Sequence, residues 1–311
     1  MDTLVKAIPE HLLTLNWFEL EEARALSILD DLTVELKELK GKLSPSKVHK
    51  CRVVIRRWYS IWEILEVDHW GDENYDRKVK KPLGKINKAL GKLRDLDVNI
   101  NFAEEYQAPL YVLSAWRKKR ARIGRKMVQK IAELKPKKVA KNLAEHLSLR
   151  AYELERMLLP LPEEEIVMPA SEKPFISPLE AASYQHIERF LLEAEAEAKN
   201  HAALAKTPVQ LHELRLTIKR WRYLLTEFFS VTNIDLVKAQ QLLGKHHDLI
   251  RLKEMVEKSA RKLKGSQSQK EIAECTTRIN LELTRLEDEI QLVKKALPFG
   301  LRPYKVSKLI G

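Results

Sequence analysis

A helix-length segment occurs twice in this chain, and this repeat constrains the fold more than any other feature of the sequence. Residues 48–59, VHKCRVVIRRWY, are matched by residues 211–222, LHELRLTIKRWR, with histidine, arginine, isoleucine, a basic pair and tryptophan in register. On a helix that advances about 100° per residue, His49, Arg52 and Arg56 share one face, and the apolar side chains gather on the other. Each copy therefore predicts an amphipathic helix with a cationic stripe opposite a core stripe.

A second repeated motif follows each copy. Residues 85–100, KINKALGKLRDLDVNI, align with residues 238–253, KAQQLLGKHHDLIRLK, when Gly244 is set on Gly91. In the first copy the lysines share one helical face with an aspartate, and the leucines lie opposite. The charged positions predicted on this face are Lys85, Lys88, Lys92 and Asp95 in the first copy and Lys238, Lys245 and Asp248 in the second.

The order of the motifs indicates a duplicated, all-α protein. Nine glycines and 32% charged residues suit long helices better than sheets. Five prolines within residues 158–178 mark a linker. We predict a first repeat over residues 1–157, with an N-terminal extension over 1–17, and a second over 179–311. Each is expected to be an approximate four-helix bundle with its own core, related to the other by a pseudo-twofold axis that lets the cationic stripes face each other.

Prolines mark three predicted helix starts. Ser44 and Thr207 are each followed by a proline, Pro45 and Pro208, and this pair is typical of an N-cap and the first helical position. Pro82 lies within a helical pattern and predicts either a kink or a helix start.

The formal net charge of +12 favours a polyanionic partner, which could be nucleic acid, an anionic membrane surface or inorganic polyphosphate. A third basic helix adds more cations on one face: Lys118, Arg122 and Arg125.

The sequence has neither a signal-peptide pattern nor an apolar run of about 18 residues. We expect a soluble, cytoplasmic protein without a membrane partner, in which Cys51 and Cys275 are buried thiols.

Lysine, arginine and histidine side chains on rigid helices suit a ligand with a dense row of oxyanions. His49 and His212 admit three roles, as phosphate contacts, metal ligands or structural residues, and their recurrence in phase with arginine favours phosphate contact. A metal is disfavoured because carboxylates are few among so many cations. The neighbours His246 and His247 also diverge by about 100° on a helix. We expect no metal and no cofactor.

Small and acidic residues beside the cationic faces have their own predicted roles. Gly91 and Gly244 would permit close approach of a ligand or close packing of another helix. Asp95 and Asp248 are expected to hold an arginine or lysine of a neighbouring helix in one rotamer rather than to act in catalysis. Asp97 lies on the apolar face, where an unpaired carboxylate is costly, and the sequence identifies no partner for it.

The paired motifs VHKCRVVIRRW and LHELRLTIKRWRYLL, each followed by LGKLRDLDV or LLGKHHDLIRL, resemble the CHAD family, named for its conserved histidine α-helical domain. The resemblance implies two helical bundles about a pseudo-twofold axis, with a basic central channel or groove that binds inorganic polyphosphate. It implies these channel-lining positions: His49, Arg52, Arg56, Lys85, Lys88, Lys92, His212, Arg215, Lys219, Lys238 and Lys245. Arg222, the last residue of the second motif, is a further candidate. Gln241 stands where the first repeat has Lys88, so the second half is expected to bind more weakly.

The sequence contains no Walker loop, no Ser/His/Asp signature and no paired-carboxylate pattern of a di-iron bundle. We therefore expect non-catalytic binding of inorganic polyphosphate and association with polyphosphate granules. Two alternatives stay open, a nucleic-acid-binding helical protein and an enzyme of polyphosphate or nucleotide metabolism.

Overall fold

The fold is all-α, as predicted. The computed structural model describes residues 4–5, 17–39, 41, 43–65, 76–135, 137–146, 178–229, 231–260 and 266–301. The predicted linker lies outside these ranges except for its last residue, Pro178, which begins a helix. The boundaries between the two repeats therefore stay a prediction.

The described helices of the first half are α1 (Trp17–Glu38), α2 (Pro45–Leu65), α3 (Lys81–Glu105), α4 (Leu110–Glu133) and α5 (137–146). Those of the second half are α6 (Pro178–Leu204), α7 (Pro208–Phe229), α8 (Ile234–Ala260) and α9 (Ser266–Lys295). Two short strands, β1 (Leu4–Val5) and β2 (Val231–Thr232), pair antiparallel and join the N-terminal segment to the connection between α7 and α8.

The two motif helices begin where the sequence predicts. The backbone N–H of Lys47 donates to Ser44 Oγ at 3.3 Å, and that of Gln210 donates to Thr207 Oγ1 at 3.3 Å. Each hydroxyl thereby satisfies one of the N–H groups that a helix start leaves unpaired. The prolines that follow lose nothing at the first helical position, because an N–H there has no intrahelical partner.

Pro82 marks a change of helical geometry. Asp76–Lys80 form a single π-helical turn that leads directly into α3, and Pro82 lies in the first turn of α3. Proline lacks the backbone N–H, so it is tolerated where that group would have no partner. The sequence predicted either a kink or a helix start at this position, and the structure places there the change from π-helical to α-helical geometry.

Neighbouring helices pack in the same order in both halves. In the first half α1 packs on α2, α2 on α3 and α3 on α4, and in the second half α6 packs on α7, α7 on α8 and α8 on α9. Helices at equivalent positions also meet across the halves, α1 with α6, α2 with α7 and α3 with α8. The two motif helices, α2 and α7, therefore pack against each other.

Buried apolar side chains form two clusters, and each cluster draws on both halves. The larger contains Trp58 of α2 and Trp221 of α7, both fully buried. The smaller combines Trp116 of α4 with Leu252 of α8 and Cys275 of α9. The sequence predicted a separate core for each repeat. The clusters are shared instead because equivalent helices of the two halves pack directly on each other.

Both cysteines are free and buried, as predicted. Burial raises the pKa of the Cys51 thiol to about 12, so the reactive thiolate is scarce at neutral pH. None of the described helices combines the length and the apolar composition needed to cross a bilayer.

Candidate functional site

The cationic stripes of α2 and α7 meet where these two helices pack together. Burial, and after it the charges of four arginines, lower the pKa of Lys219 to about 7. These arginines come from both helices: Arg56, Arg215, Arg52 and Arg222. The pKa of Arg215 is also lowered, by burial and by Arg56 of the other half. These five side chains, Arg52, Arg56, Arg215, Lys219 and Arg222, form one group, called the central cluster below.

Arg52 is held against α3. Its Nη1 donates to the backbone oxygen of Asn87 at 2.6 Å and to Asn87 Oδ1 at 2.9 Å. The guanidinium also lies over Gly91, where a Cβ atom would be 2.8 Å from Nη1. The sequence left Gly91 open between ligand approach and helix packing. The structure shows that this glycine makes room for the motif arginine.

In the second repeat, arginines of α7 contact the glycine and the amide residue of α8 that align with Gly91 and Asn87. Arg215 lies beside Gly244, where a Cβ atom would be 3.6 Å from Arg215 Nε. Arg222 Nε donates to Oε1 of Gln240 at 2.7 Å, and Gln240 occupies the position of Asn87 in the aligned motifs. The buried Nε atoms of Arg52 and Arg215 have no acceptor among the described residues. The two motif arginines thus keep donors that this part of the protein does not satisfy.

The two predicted orienting carboxylates lie beside arginines. Asp95 Oδ2 is 3.2 Å from Arg251 Nη1, an ion pair that joins α3 to α8 across the halves. Burial raises the pKa of Asp248, while Arg215 acts in the opposite direction. Asp95 lies close enough to Asp248 to raise its pKa as well. Arg251 is a partner of Asp95 that the sequence did not identify.

The motif histidines lie at the edge of the central cluster. Burial lowers the pKa of His49, with Arg94 as the next contribution. His212 stacks on His247 with ring centroids 4.2 Å apart. Burial, and after it the neighbouring His212, lower the pKa of His247 to about 4. Both imidazoles with lowered pKa values are therefore neutral at pH 7.

His246 points elsewhere, because its Nε2 is 3.4 Å from Glu287 Oε1 and its ring is almost fully buried. His246 and His247 thus diverge, as helical geometry predicts. Over the described ranges, no group of three or more histidine, cysteine, aspartate or glutamate side chains could hold a metal ion.

The predicted lysines of α3 form a separate surface. Lys85, Lys88 and Lys92 are exposed and line a groove of about 510 Å³ together with Lys130 of α4. We call this surface the lysine groove. Lys130 was missed by the sequence reasoning because it belongs to another helix and to neither motif.

The structure leaves several predicted cations outside the central cluster. Lys245 Nζ donates to Glu282 Oε1 of α9 at 2.6 Å, so its charge is compensated there. Lys238 is exposed on α8. The three cations of α4 also face solvent: Lys118, Arg122 and Arg125. Of these, Arg125 lines another cavity, of about 680 Å³, together with Arg117 and Arg120.

The sequence analysis did not predict Arg94 or Arg251 as site residues. For Arg94, its position in the repeated motif could have indicated a role. Arg94 and His247 occupy aligned positions, each directly before the motif aspartate. Arg94 lowers the pKa of both His49 and Arg52, so it belongs to the surroundings of the cluster. Arg251 aligns with Val98, and nothing in the repeat pattern marks it.

Two further arginines make structural ion pairs. Arg120 supplies the partner that Asp97 lacked, with Nε donating to Oδ1 at 2.7 Å and Nη2 to Oδ2 at 3.2 Å. Arg57 of α2 donates to both carboxylate oxygens of Glu227 on α7, at 2.8 and 3.0 Å, and to Asp31 on α1. Arg57 therefore joins helices of both halves.

The fold and the site define an all-α protein in which two repeated helices bring cations of both halves together. The chain belongs to the CHAD domain family, whose model matches residues 23–257.

Comparison with solved structures agrees on the fold. The crystal structure of the CHAD domain from the plant Ricinus communis matches with a TM-score of 0.53 and 16% sequence identity, over 96% of this chain and 97% of that one. At this identity the likeness is one of fold alone. Comparison with curated proteins finds no significant match.

Proposed function

We propose that this chain binds inorganic polyphosphate in the central cluster and its surroundings, without catalysing its turnover. The observation that supports this most is the convergence of Arg52 and Arg56 with Arg215, Lys219 and Arg222 at the contact of the two motif helices. Gathering like charges is unfavourable unless a ligand compensates them. Each oxyanion bound there would gain charge-assisted hydrogen bonds of about 1.5 to 3 kcal/mol before desolvation.

The proposal extends to the shape of the site. Because α2 meets α7 and α3 meets α8, we expect the halves to be related by a pseudo-twofold axis that passes through the cluster. A long polyanion would then follow a channel or groove along this axis. The lysine groove on α3 and α4 would bind a further stretch of the same polymer. Such binding would allow the protein to associate with polyphosphate granules.

Nucleic acid fits the site less well. Proteins that bind single strands usually offer exposed aromatic side chains on which bases stack. The tryptophans of the motif helices are buried instead: Trp58 and Trp221 fully, and Trp62 to 3% exposure. Polyphosphate has no bases, and its recognition needs only cations and hydrogen-bond donors.

Catalysis also fits less well. Phosphoryl transfer needs carboxylates that are free to hold Mg²⁺ beside the phosphates. Asp95 is paired with Arg251, and Asp248 lies beside Arg215. Both carboxylates therefore interact with arginines of the protein and are not free to hold a metal ion. Release of phosphate from polyphosphate in the presence of Mg²⁺ or Mn²⁺, abolished by Asp95→Asn, would replace this proposal with an enzymatic one.

Charge neutralisation tests the binding site. The double variant Arg52→Gln with Arg215→Gln is expected to bind long-chain polyphosphate about 100-fold more weakly, since it removes two charge-assisted contacts. The matched control is Lys258→Gln with Lys270→Gln, which removes two exposed cations on α8 and α9. Both variants lower the formal net charge of +12 by two. Circular dichroism should show the same helicity in all three proteins.

Comparing the two double variants distinguishes binding at a specific site from attraction by the overall charge of the protein. If both double variants weaken binding equally, the polymer is attracted by overall charge and the proposal fails. A competition experiment decides between ligands: tRNA that displaces polyphosphate at an equal concentration of phosphate groups would favour nucleic acid instead.

A further inference from the structure

One member of the central cluster differs chemically from the rest. Lys219 stands at the position that Arg56 occupies in the first motif. A guanidinium keeps its charge at any ordinary pH, and even Arg52, whose pKa burial lowers to about 10, is charged at pH 7. A lysine ammonium can release its proton when it is buried among cations. Lys219 is the one member of the central cluster whose side chain is an amine, and it is buried among the four arginines.

The surroundings of Lys219 disfavour its charged form. Arg52 and Arg56 face it from α2, and Arg215 and Arg222 flank it on α7. Its Nζ lies 5.5 Å from the centroid of the Tyr223 ring, which offers only a weak compensating contact.

The other elements packed on α7 supply no salt bridge to this ammonium among the described residues. On α6, Glu197 pairs with Arg220, and on α1, Asp31 pairs with Arg57. On α8, Gln240 accepts from Arg222, and Asp248 lies beside Arg215. On α3, Asp95 pairs with Arg251. The titratable groups near the rim of the cluster are the imidazoles of His49, His212 and His247.

We propose that capture of a polyanion by the central cluster is coupled to the uptake of one proton by Lys219. This inference rests on the proposed function. In the free protein the side chain is largely a neutral amine above pH 7. Oxyanions placed beside it stabilise the ammonium, so the amine takes one proton from the solvent as the ligand binds. No bond other than N–H is formed.

The coupling predicts how affinity depends on pH. Because Lys219 has a pKa of about 7 in the free protein, binding above this pH includes the cost of protonating the amine. Affinity should therefore fall as the pH rises from 7, by at most about tenfold per pH unit for one proton. The fall should end near the raised pKa of Lys219 in the complex. Below pH 7 the amine is already protonated, and this contribution vanishes.

Titration calorimetry in two buffers measures the protons directly. Long-chain sodium polyphosphate is titrated into the full chain at pH 8 in Tris and in HEPES, whose ionisation enthalpies differ. The difference in observed enthalpy gives the number of protons taken up, expected to be close to one per site. At this pH the imidazoles of His49 and His247 are neutral in the free protein, so variants of Lys219 are needed to assign the proton.

Two variants make the assignment. Lys219→Arg is expected to lose the proton uptake and to bind about tenfold more tightly than the natural protein at pH 8, because its charge is permanent. Lys219→Gln should also lose the uptake but bind more weakly at pH 6. Lys258→Arg, an exposed lysine on the same helix as Asp248, serves as the control and should keep the uptake.

The outcomes separate this inference from the proposed function. Binding with equal enthalpy in both buffers, or an uptake that persists in Lys219→Arg, overturns the coupling and leaves polyphosphate binding intact. Absence of binding in either buffer overturns the proposed function. A second measurement needs no polymer: the pH dependence of Lys219 labelling by acetic anhydride, read by mass spectrometry, gives its pKa in the free protein. A value above 9 would also overturn the coupling.

Discussion

The guanidinium of Arg52 occupies the space that a side chain at Gly91 would need, with Nη1 only 2.8 Å from the position of a Cβ atom. Its two hydrogen bonds to Asn87 prevent it from moving aside without loss. At the equivalent place in the second repeat, a Cβ atom on Gly244 would lie 3.6 Å from Arg215 Nε, an ordinary contact. The two glycines occupy equivalent positions in the aligned motifs, but only Gly244 has space for a larger side chain.

Alanine substitutions test this difference. Gly244→Ala should raise the free energy of unfolding by about 0.5 to 1 kcal/mol, because alanine favours a helix interior over glycine. Gly91→Ala should instead lower it by about 1 to 2 kcal/mol, since the Arg52 hydrogen bonds are lost. Urea denaturation measures both. Equal stabilisation by the two substitutions would contradict the contact between Arg52 and Gly91.

The ion pair between Arg57 and Glu227 should contribute more to stability than its counterpart in the other repeat. Glu227 is buried, with 8% side-chain exposure, whereas Glu197, the partner of Arg220, is 46% exposed. We expect Glu227→Ala to lower the free energy of unfolding by about 1 to 3 kcal/mol, because Arg57 loses two charge-assisted hydrogen bonds and keeps, among the described residues, only its ion pair with the more exposed Asp31. Glu197→Ala should cost less than about 1 kcal/mol. A comparable loss in both variants would argue against the cross-repeat role of Arg57.

Asp97 and Arg120 form a buried pair, with side-chain exposures of 5% and 16%. Asp97→Ala should lower the free energy of unfolding by about 3 kcal/mol or more, since the guanidinium is left buried and unpaired. Adding Arg120→Met should restore much of this loss, because it removes the orphaned charge. A double-mutant cycle measures the coupling, which should exceed about 1 kcal/mol. Additive effects of the two substitutions would mean that the pair contributes nothing specific.

The lowered pKa of Lys219 makes stability depend on pH. Between its folded pKa of about 7 and the ordinary value of 10.5, the unfolded chain holds one proton more than the folded protein at this site. The free energy of unfolding therefore gains as pH rises through this window, by at most about 1.4 kcal/mol per pH unit.

Lys219→Met should remove this gain, and below pH 7 it should be more stable than the natural protein. The measurement is urea denaturation of both proteins at pH 6, 8 and 9.5. Parallel pH profiles of the two proteins would show that Lys219 keeps an ordinary pKa.

The proposed binding of polyphosphate should depend on salt, and the central cluster should carry part of that dependence. Binding of a linear polyanion releases counterions, so the logarithm of the affinity falls with the logarithm of the salt concentration. Arg56→Gln is expected to reduce this slope by about one, whereas Lys258→Gln should leave it unchanged. Fluorescence titrations with labelled polyphosphate at several salt concentrations provide the slopes. An unchanged slope in Arg56→Gln would place the polymer away from the cluster.

Local features of the fold could be predicted because each depends on a few neighbouring residues. The hydroxyls of Ser44 and Thr207 and the prolines after them set the starts of α2 and α7. The 3.6-residue period placed Trp58 and Trp221 in the core. The repeat of the motifs also identified Arg52, Arg56, Arg215 and Lys219 as cations on one face of their helices.

Partners across helices could not be predicted in the same way. The pairs Asp97 with Arg120 and Asp95 with Arg251 join helices whose relative rotation is set by packing. A helical face tells on which side a lysine lies but not which helix covers that side. Lys245 and Lys92 occupy aligned positions, yet Lys245 meets Glu282 of α9, whereas Lys92 lines an open groove with Lys130.

The sequence by itself determined that this is an all-α protein with two related cationic helices, because helix periodicity, caps and repeats are local properties of the chain. Only the tertiary structure decided that the two halves share their cores and that their cations meet around Lys219. The physical reason is that burial and charge are set by every neighbour in space. Burial at the contact of the two motif helices, and after it the arginines packed around Lys219, lower the pKa of this lysine to about 7.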